Sequence, residues 1–137
     1  MSKMERFSYL QSIGERQLLY PMPYLSLTLE REGQRKQVFG LLDTGSTVCV
    51  LPYRIGLDLG AIWEDQTIPL ELKGNLANFE ALALLITAYV GELIPVNLAF
   101  AWTSAENAPL ILGQTNFFMT FDVCFYRSQN EFEIKAR

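Results

Sequence analysis

A chain of 137 residues, half of them hydrophobic and 19% charged, suits one domain around a single core and excludes a disordered polymer. The net charge of −4 is mild, and the richest Lys/Arg stretch, Arg31 to Lys36, also holds Glu32 and Gly33; it reads as a solvated hairpin loop, so no nucleic-acid partner is expected. With no histidine at all, Ser-His and Cys-His catalysis within the chain is excluded and the commonest zinc ligand is missing, which leaves carboxylates, hydroxyls, lysines or a cofactor.

Met1 to Arg6 lacks a basic flank followed by an apolar run, so no secretory signal is visible and a cytoplasmic protein is expected. Met1 to Tyr20 is compatible with a dimer strand, a cleavable pro-segment or a plain extension, which divides the chain into residues 1–20 and a domain over 21–137. Leu25, Leu27 and Leu29 alternate with Ser26, Thr28 and Glu30, the period of a strand with one buried face. Glu32-Gly33-Gln34 then turns the chain into a second strand, Gln37 to Leu42. Ile68, Leu70 and Leu72 continue the alternation, Gly74-Asn75 follows as a turn, and Asn78 to Val90 returns as a strand. The longest apolar stretch, Ala81 to Val90, is interrupted by Thr87 and is too short to span a bilayer as a helix, so no membrane partner is expected. Gly91-Glu92 separates it from a strand over Leu93 to Trp102. Pro69 and Pro95 fall inside strand-like runs, which predicts edge strands or strands that begin at the proline. After Gly113 only Thr115 to Met119 reads as helical, and Ser128-Gln129-Asn130 leads into a final strand carrying Phe132 and Ile134. Short strands joined by Gly, Asn and Pro turns predict an all-β fold, a closed barrel or a sandwich. Cys49 and Cys124 are expected to be reduced, partly buried thiols, and Trp63, Trp102, Phe117, Phe118, Phe121 and Phe125 to be core.

Two segments carry chemistry. In Leu41-Leu42-Asp43-Thr44-Gly45-Ser46-Thr47 an apolar strand runs straight into a carboxylate, a hydroxyl and a glycine. A carboxylate at a buried strand end needs hydrogen bonds or a shared proton, and Gly45 lets its own N–H approach the carboxylate. The competing interpretation is a plain turn, with Asp43 capping its own backbone and Gly45 at positive φ. The second segment, Pro109-Leu110-Ile111-Leu112-Gly113, is an apolar strand closing on a glycine.

Together the two segments resemble the signature pair of the pepsin-like and retroviral aspartic proteases: an apolar pair with Asp-Thr/Ser-Gly-Ser/Ala, then an apolar pair with Gly before a short helix. Leu41 to Ser46 and Ile111-Leu112-Gly113 match residue by residue. The resemblance implies a retropepsin-like closed acid-protease barrel, a single lobe with one short C-terminal helix and a flap hairpin over Thr67 to Ile86. It also implies peptide-bond hydrolysis by two aspartates that share one water and one proton, with no cofactor and no metal. Asp58, Asp65 and Asp122 lack the following Thr/Ser-Gly, so the second aspartate comes from another copy, and a homodimer acting on a peptide or protein substrate is expected.

By the same resemblance Asp43, Thr44 and Gly45 are the catalytic triplet, with Thr44 bonding across the subunits. Ser46, Thr47, Gly74, Asn75 and Leu76 contact substrate, while Ile111, Leu112 and Gly113 support the catalytic loop. Where the retroviral enzymes place an Arg and an Asp, this chain has Gln114 and Thr47, which reads as a neutral contact replacing a charged pair. The flap tip, Gly74-Asn75-Leu76-Ala77, is less glycine-rich than the retroviral kind and lacks the tyrosine of pepsins. Two other outcomes remain open: a weak or silent dimerisation or peptide-binding module, and a lobe that works with a different partner subunit.

Overall fold

The computed structural model describes residues 3–137. Met1 and Ser2, part of the N-terminal segment considered above, lie outside the described residues. In chain order the elements begin with β1 (Met4–Ser8), β2 (Leu10–Ile13), β3 (Arg16–Met22), β4 (Tyr24–Arg31), β5 (Gln34–Leu42) and β6 (Cys49–Leu51). They continue with α1 (Tyr53–Asp58), β7 (Pro69–Leu70), β8 (Ala81–Tyr89), β9 (Val96–Thr103), β10 (Ile111–Leu112), α2 (Phe117–Thr120), β11 (Phe121–Tyr126) and β12 (Glu131–Ala136).

Six strands close on themselves in the order β4-β5-β10-β6-β9-β8, with β8 pairing back onto β4. The alternation in β4 sets which face points inward: Leu25, Leu27 and Leu29 are buried while their neighbours are not. The hairpin to β5 turns on two residues in left-handed conformation, Glu32 (φ 48) and Gly33 (φ 86), the two-residue geometry that matches strand twist. β5 begins at Gln34, three residues before the expected Gln37, because so tight a turn lets pairing start at once.

Phe100, Trp102, Phe117, Phe121 and Phe132 fill the interior with the leucines of β4. Each fully buried side chain of that size contributes about 1.5–3 kcal/mol. Trp63 and Phe118 pack partly buried against this core, but Phe125, near the far end of β11, is exposed, contrary to the core role expected for it.

Beneath the barrel β1-β12-β11 form a second sheet, in which Phe7 stacks on Phe132 at 5.4 Å and Arg6 pairs with Glu131 at 2.8 Å. β2 and β3 pair only with each other as a sheet, and the division expected at residue 20 falls within β3.

Two expectations of local structure change. A helix, α1, occupies Tyr53–Asp58, where none was expected; Gly56 inside it reads as a breaker but is required by contact with the Trp102 indole. The strand expected over Ile68 to Leu72 shrinks to Pro69–Leu70, since Pro69 has no N–H and Leu72 turns into a small cluster with Val50, Ala81 and Ala101. Pro69 begins its edge strand and Pro95 directly precedes β9, in line with the reading of both prolines. Among the described residues no helix is long and apolar enough to cross a membrane.

Candidate active site

The two motif segments are distant in sequence and adjacent in space. β10 threads between β5 and β6, parallel to β5 (Ile111 beside Leu41, Leu112 beside Leu42) and antiparallel to β6 (Ile111 beside Val50). Residues 43–48 form the loop that leaves β5 and returns as β6, so β10 lies in its mouth and braces it from inside.

The bracing is explicit. The Asp43 N–H donates to the Leu112 carbonyl at 3.0 Å, and the Leu41 N–H to that of Leu110 at 2.9 Å. Past the strand the direction reverses, with the Gln114 N–H donating to the Ser46 carbonyl at 2.8 Å and the Thr115 N–H to that of Thr47 at 2.9 Å. Gly113 sits so close to the loop that a Cβ there would lie 2.8 Å from the Ser46 oxygen, and closer still to that of Val48. Behind it the Gly113 N–H donates to Cys49 Sγ at 3.4 Å, and the thiol donates to the Thr115 carbonyl at 3.5 Å. Burial pushes the Cys49 thiol up, opposed in part by its hydrogen bonds with the Gly113 and Phe117 backbone. Cys49 is thus an enclosed packing residue. Cys124, expected to be partly buried, is exposed on β11; both thiols are free.

Within the loop, the Ser46 N–H closes a turn onto the Asp43 carbonyl at 3.1 Å, and the Gly45 N–H donates to Asp43 Oδ1 at 2.9 Å. Asp43 therefore caps its own backbone, as the plain-turn reading requires. Gly45 does not adopt positive φ, however; a Cβ there would meet Asp43 Oδ1 at 3.2 Å, so the glycine serves close approach. Ser46 Oγ is held inward on the Val48 carbonyl at 2.8 Å.

A cleft of about 310 Å³ opens over this loop. Asp43, Gly45, Ser46, Thr47, Val48, Val50 and Ile111 form one wall, and Glu71, Leu72, Lys73, Gly74 and Leu76 of the facing hairpin form the other. The structure thus brings together Asp43, Gly45, Ser46, Thr47, Gly74, Leu76 and Ile111. Thr44 is exposed and does not line the cleft, nor does Asn75, exposed in the tight turn Gly74–Leu76, and Leu112 and Gly113 are buried behind the loop. The neutral contact expected of Gln114 exists with a different partner: its Nε2 donates to the Thr44 carbonyl at 2.7 Å. Glu71, Leu72 and Lys73 were missed as cleft residues. Their signal is position, just before the Gly74 turn, since a hairpin tip that folds over a cleft presents its flanking residues to it.

Asn116 was also missed. It sits at φ 75, ψ −70, with the Phe117 N–H donating to the Thr115 carbonyl at 3.1 Å, a strained γ-turn. Its Oδ1 accepts the Ala99 N–H at 3.0 Å, which ties the segment behind the loop to β9.

A closed six-stranded barrel with β10 threaded through the β5–β6 loop is the retropepsin-like fold. The crystal structure of a retropepsin-like aspartic protease from Rickettsia conorii superposes with a TM-score of 0.66 over 97% of this chain and 92% of that one, at 10% sequence identity. No protein-family model matches the sequence, and no curated protein matches it.

Proposed function

We propose that the chain is one subunit of a homodimeric aspartic endopeptidase of the retropepsin-like family. The observation that carries this reading is the Asp43 carboxylate, fixed by the Gly45 N–H at the head of a strand and opening onto a cleft in a retropepsin-like barrel. The similarity to the rickettsial protease supports it. One chain supplies one such carboxylate, so two copies meet about a two-fold axis with Asp43 of each beside the other.

Two carboxylates that close cannot both ionise cheaply, so the pair holds one proton across a range of acidic pH. The ionised member takes a proton from the water between them as it attacks the scissile carbonyl, and the protonated member polarises that carbonyl. The apparent pKa values belong to the pair. Thr44, exposed at the loop crest, is available to bond the partner's loop, and the hairpin carrying Gly74 and Leu76 serves as the flap. Val48, Val50, Leu72, Leu76 and Ile111 give the cleft an apolar lining suited to extended, mostly apolar peptide segments. Two free thiols fit a reducing, cytoplasmic setting.

A dimeric peptide-binding module with little hydrolysis is the second reading, favoured by the missing charged pair, whose places hold Gln114 and Thr47, and by the tight hairpin tip, less glycine-rich than the retroviral kind. The two separate in one assay. Purified protein offered a peptide library at acidic pH cleaves it, is blocked by pepstatin-like or retroviral-protease inhibitors, and loses activity in Asp43→Asn. Equal behaviour of wild type and Asp43→Asn sinks the enzymatic reading.

A further inference from the structure

We propose that Gln114 is a positioning residue for the Asp43 carboxylate, acting through the peptide group that joins Thr44 to Gly45. A peptide group is one rigid plane, with its carbonyl at one end and its N–H at the other. Here the N–H end, on Gly45, donates to Asp43 Oδ1 at 2.9 Å. The carbonyl end, on Thr44, accepts from Gln114 Nε2 at 2.7 Å. Holding one end therefore aims the other.

Gln114 holds this plane from both flanks of Gly45, because its backbone N–H also donates to the Ser46 carbonyl at 2.8 Å. Its own position is fixed in turn: Gly113, the residue before it, is packed against the loop, and the next N–H, of Thr115, is bonded to Thr47. Hydrogen bonds in series polarise one another, so a donor on the Thr44 carbonyl makes the Gly45 N–H a better donor to the ionised carboxylate.

The choice of side chain matters chemically. A glutamine aims the plane without placing a cation beside the carboxylate. The ionisable groups that face Asp43 are then Glu71 and Lys73 across the cleft, one of each sign, with the enclosed Cys49 thiol behind the loop. None of these contacts the Gln114 amide, so a change at Gln114 reaches Asp43 through the peptide plane.

The kinetic consequence rests on the proteolytic reading above; the geometric one does not, and the test separates them. Gln114 is exposed, so replacing it disturbs little packing. Gln114→Met keeps the side chain's length and removes the donor, and Gln114→Lys restores one. In isotope-labelled full-length protein, Gln114→Met moves the Gly45 amide proton upfield. It also shifts the Asp43 side-chain carboxyl carbon resonance, since that carboxylate has lost part of its donor. The upfield direction follows because a peptide group whose carbonyl loses its donor is less polarised, so its N–H is less deshielded. Gln114→Lys returns the Gly45 amide proton toward its wild-type position; the amide is the rescue readout, since the new charge acts on the carboxylate resonance by itself. In an active enzyme kcat falls about 3- to 10-fold with KM nearly unchanged, as for lost alignment of a reacting group. A Gly45 amide proton and an Asp43 carboxyl carbon resonance that Gln114→Met leaves unmoved overturn the proposal, whether or not the wild type cleaves peptides. A wild type that cleaves nothing removes the proteolytic reading while both spectroscopic readouts still decide the role of Gln114.

Discussion

The α-carbon of Gly113 lies against the carbonyl oxygen of Val48 with no room for a side chain between them, and a methyl group there would also come within 2.8 Å of the Ser46 oxygen. Both obstacles are backbone of the loop over residues 43–48, so neither can rotate away. Gly113→Ala is expected to destabilise the fold by about 2–4 kcal/mol and to displace the loop that carries Asp43. Denaturant unfolding reads the first effect, and a loss of peptide cleavage larger than the loss of folded protein reads the second.

Asn116 combines a strained backbone with a hydrogen bond to a buried strand. Asn116→Ala removes the acceptor of the Ala99 N–H and places a residue without a compensating side chain at φ 75. The expected cost is about 2–4 kcal/mol, seen as a lower midpoint in thermal or chemical unfolding. Asn116→Gly, which tolerates the backbone but also loses the acceptor, costs less. The same loss in both variants would show that the hydrogen bond alone matters.

Gly56 lies inside α1, where replacing glycine by alanine ordinarily stabilises by about 1 kcal/mol. Here the sign reverses. An added Cβ would sit 2.6 Å or less from the Trp102 indole, which is fully buried, stacked on Tyr53 and bonded through Nε1 to the Tyr53 carbonyl at 3.0 Å. Gly56→Ala is expected to lower stability by about 1–3 kcal/mol and to perturb tryptophan fluorescence. Stabilisation would mean that the Trp102 side chain yields readily.

The two thiols differ in reach. A thiol-reactive chromophore is expected to label Cys124 rapidly in the native protein and Cys49 only on unfolding, because Cys124 is exposed while Cys49 is enclosed and pushed toward its protonated form. The sign for stability follows. A thiol whose pKa is raised by folding contributes stability that is intact below its unfolded value near 9.0 and is lost as pH climbs through the folded value. Cys49→Ala therefore flattens the alkaline side of the stability profile above about pH 9. An unchanged alkaline limb would contradict this.

Much of the barrel was legible because alternation is a local signal. Leu25, Leu27 and Leu29 declare their face, and Asp43 with Ile111-Leu112-Gly113 declares the loop and its brace. What was illegible depends on tertiary partners. Gly56 reads as a helix breaker until Trp102 is seen against it. The alternation of Ile68, Leu70 and Leu72 cannot reveal that the backbone leaves the sheet after Leu70. Asn116 has an unremarkable sequence context, yet its role is set by Ala99, on another strand. The Gln114 position was noticed, but its partner, the Thr44 carbonyl, belongs to the backbone, and no residue pattern encodes it. Phe125 reads as core by type like Phe121, yet Phe121 is buried at the start of β11 and Phe125 is exposed near its end, a difference that residue type alone does not encode.

On the function proposed above, one chain holds half a catalytic site. Wild type and Asp43→Asn, unfolded together and refolded at a series of ratios with total protein constant, test it through the rate of peptide cleavage at acidic pH. If each site needs Asp43 from both copies, mixed dimers are silent and the rate falls as the square of the wild-type fraction, reaching zero with Asp43→Asn alone. A rate that falls in simple proportion, or one that persists with Asp43→Asn alone, would contradict the account.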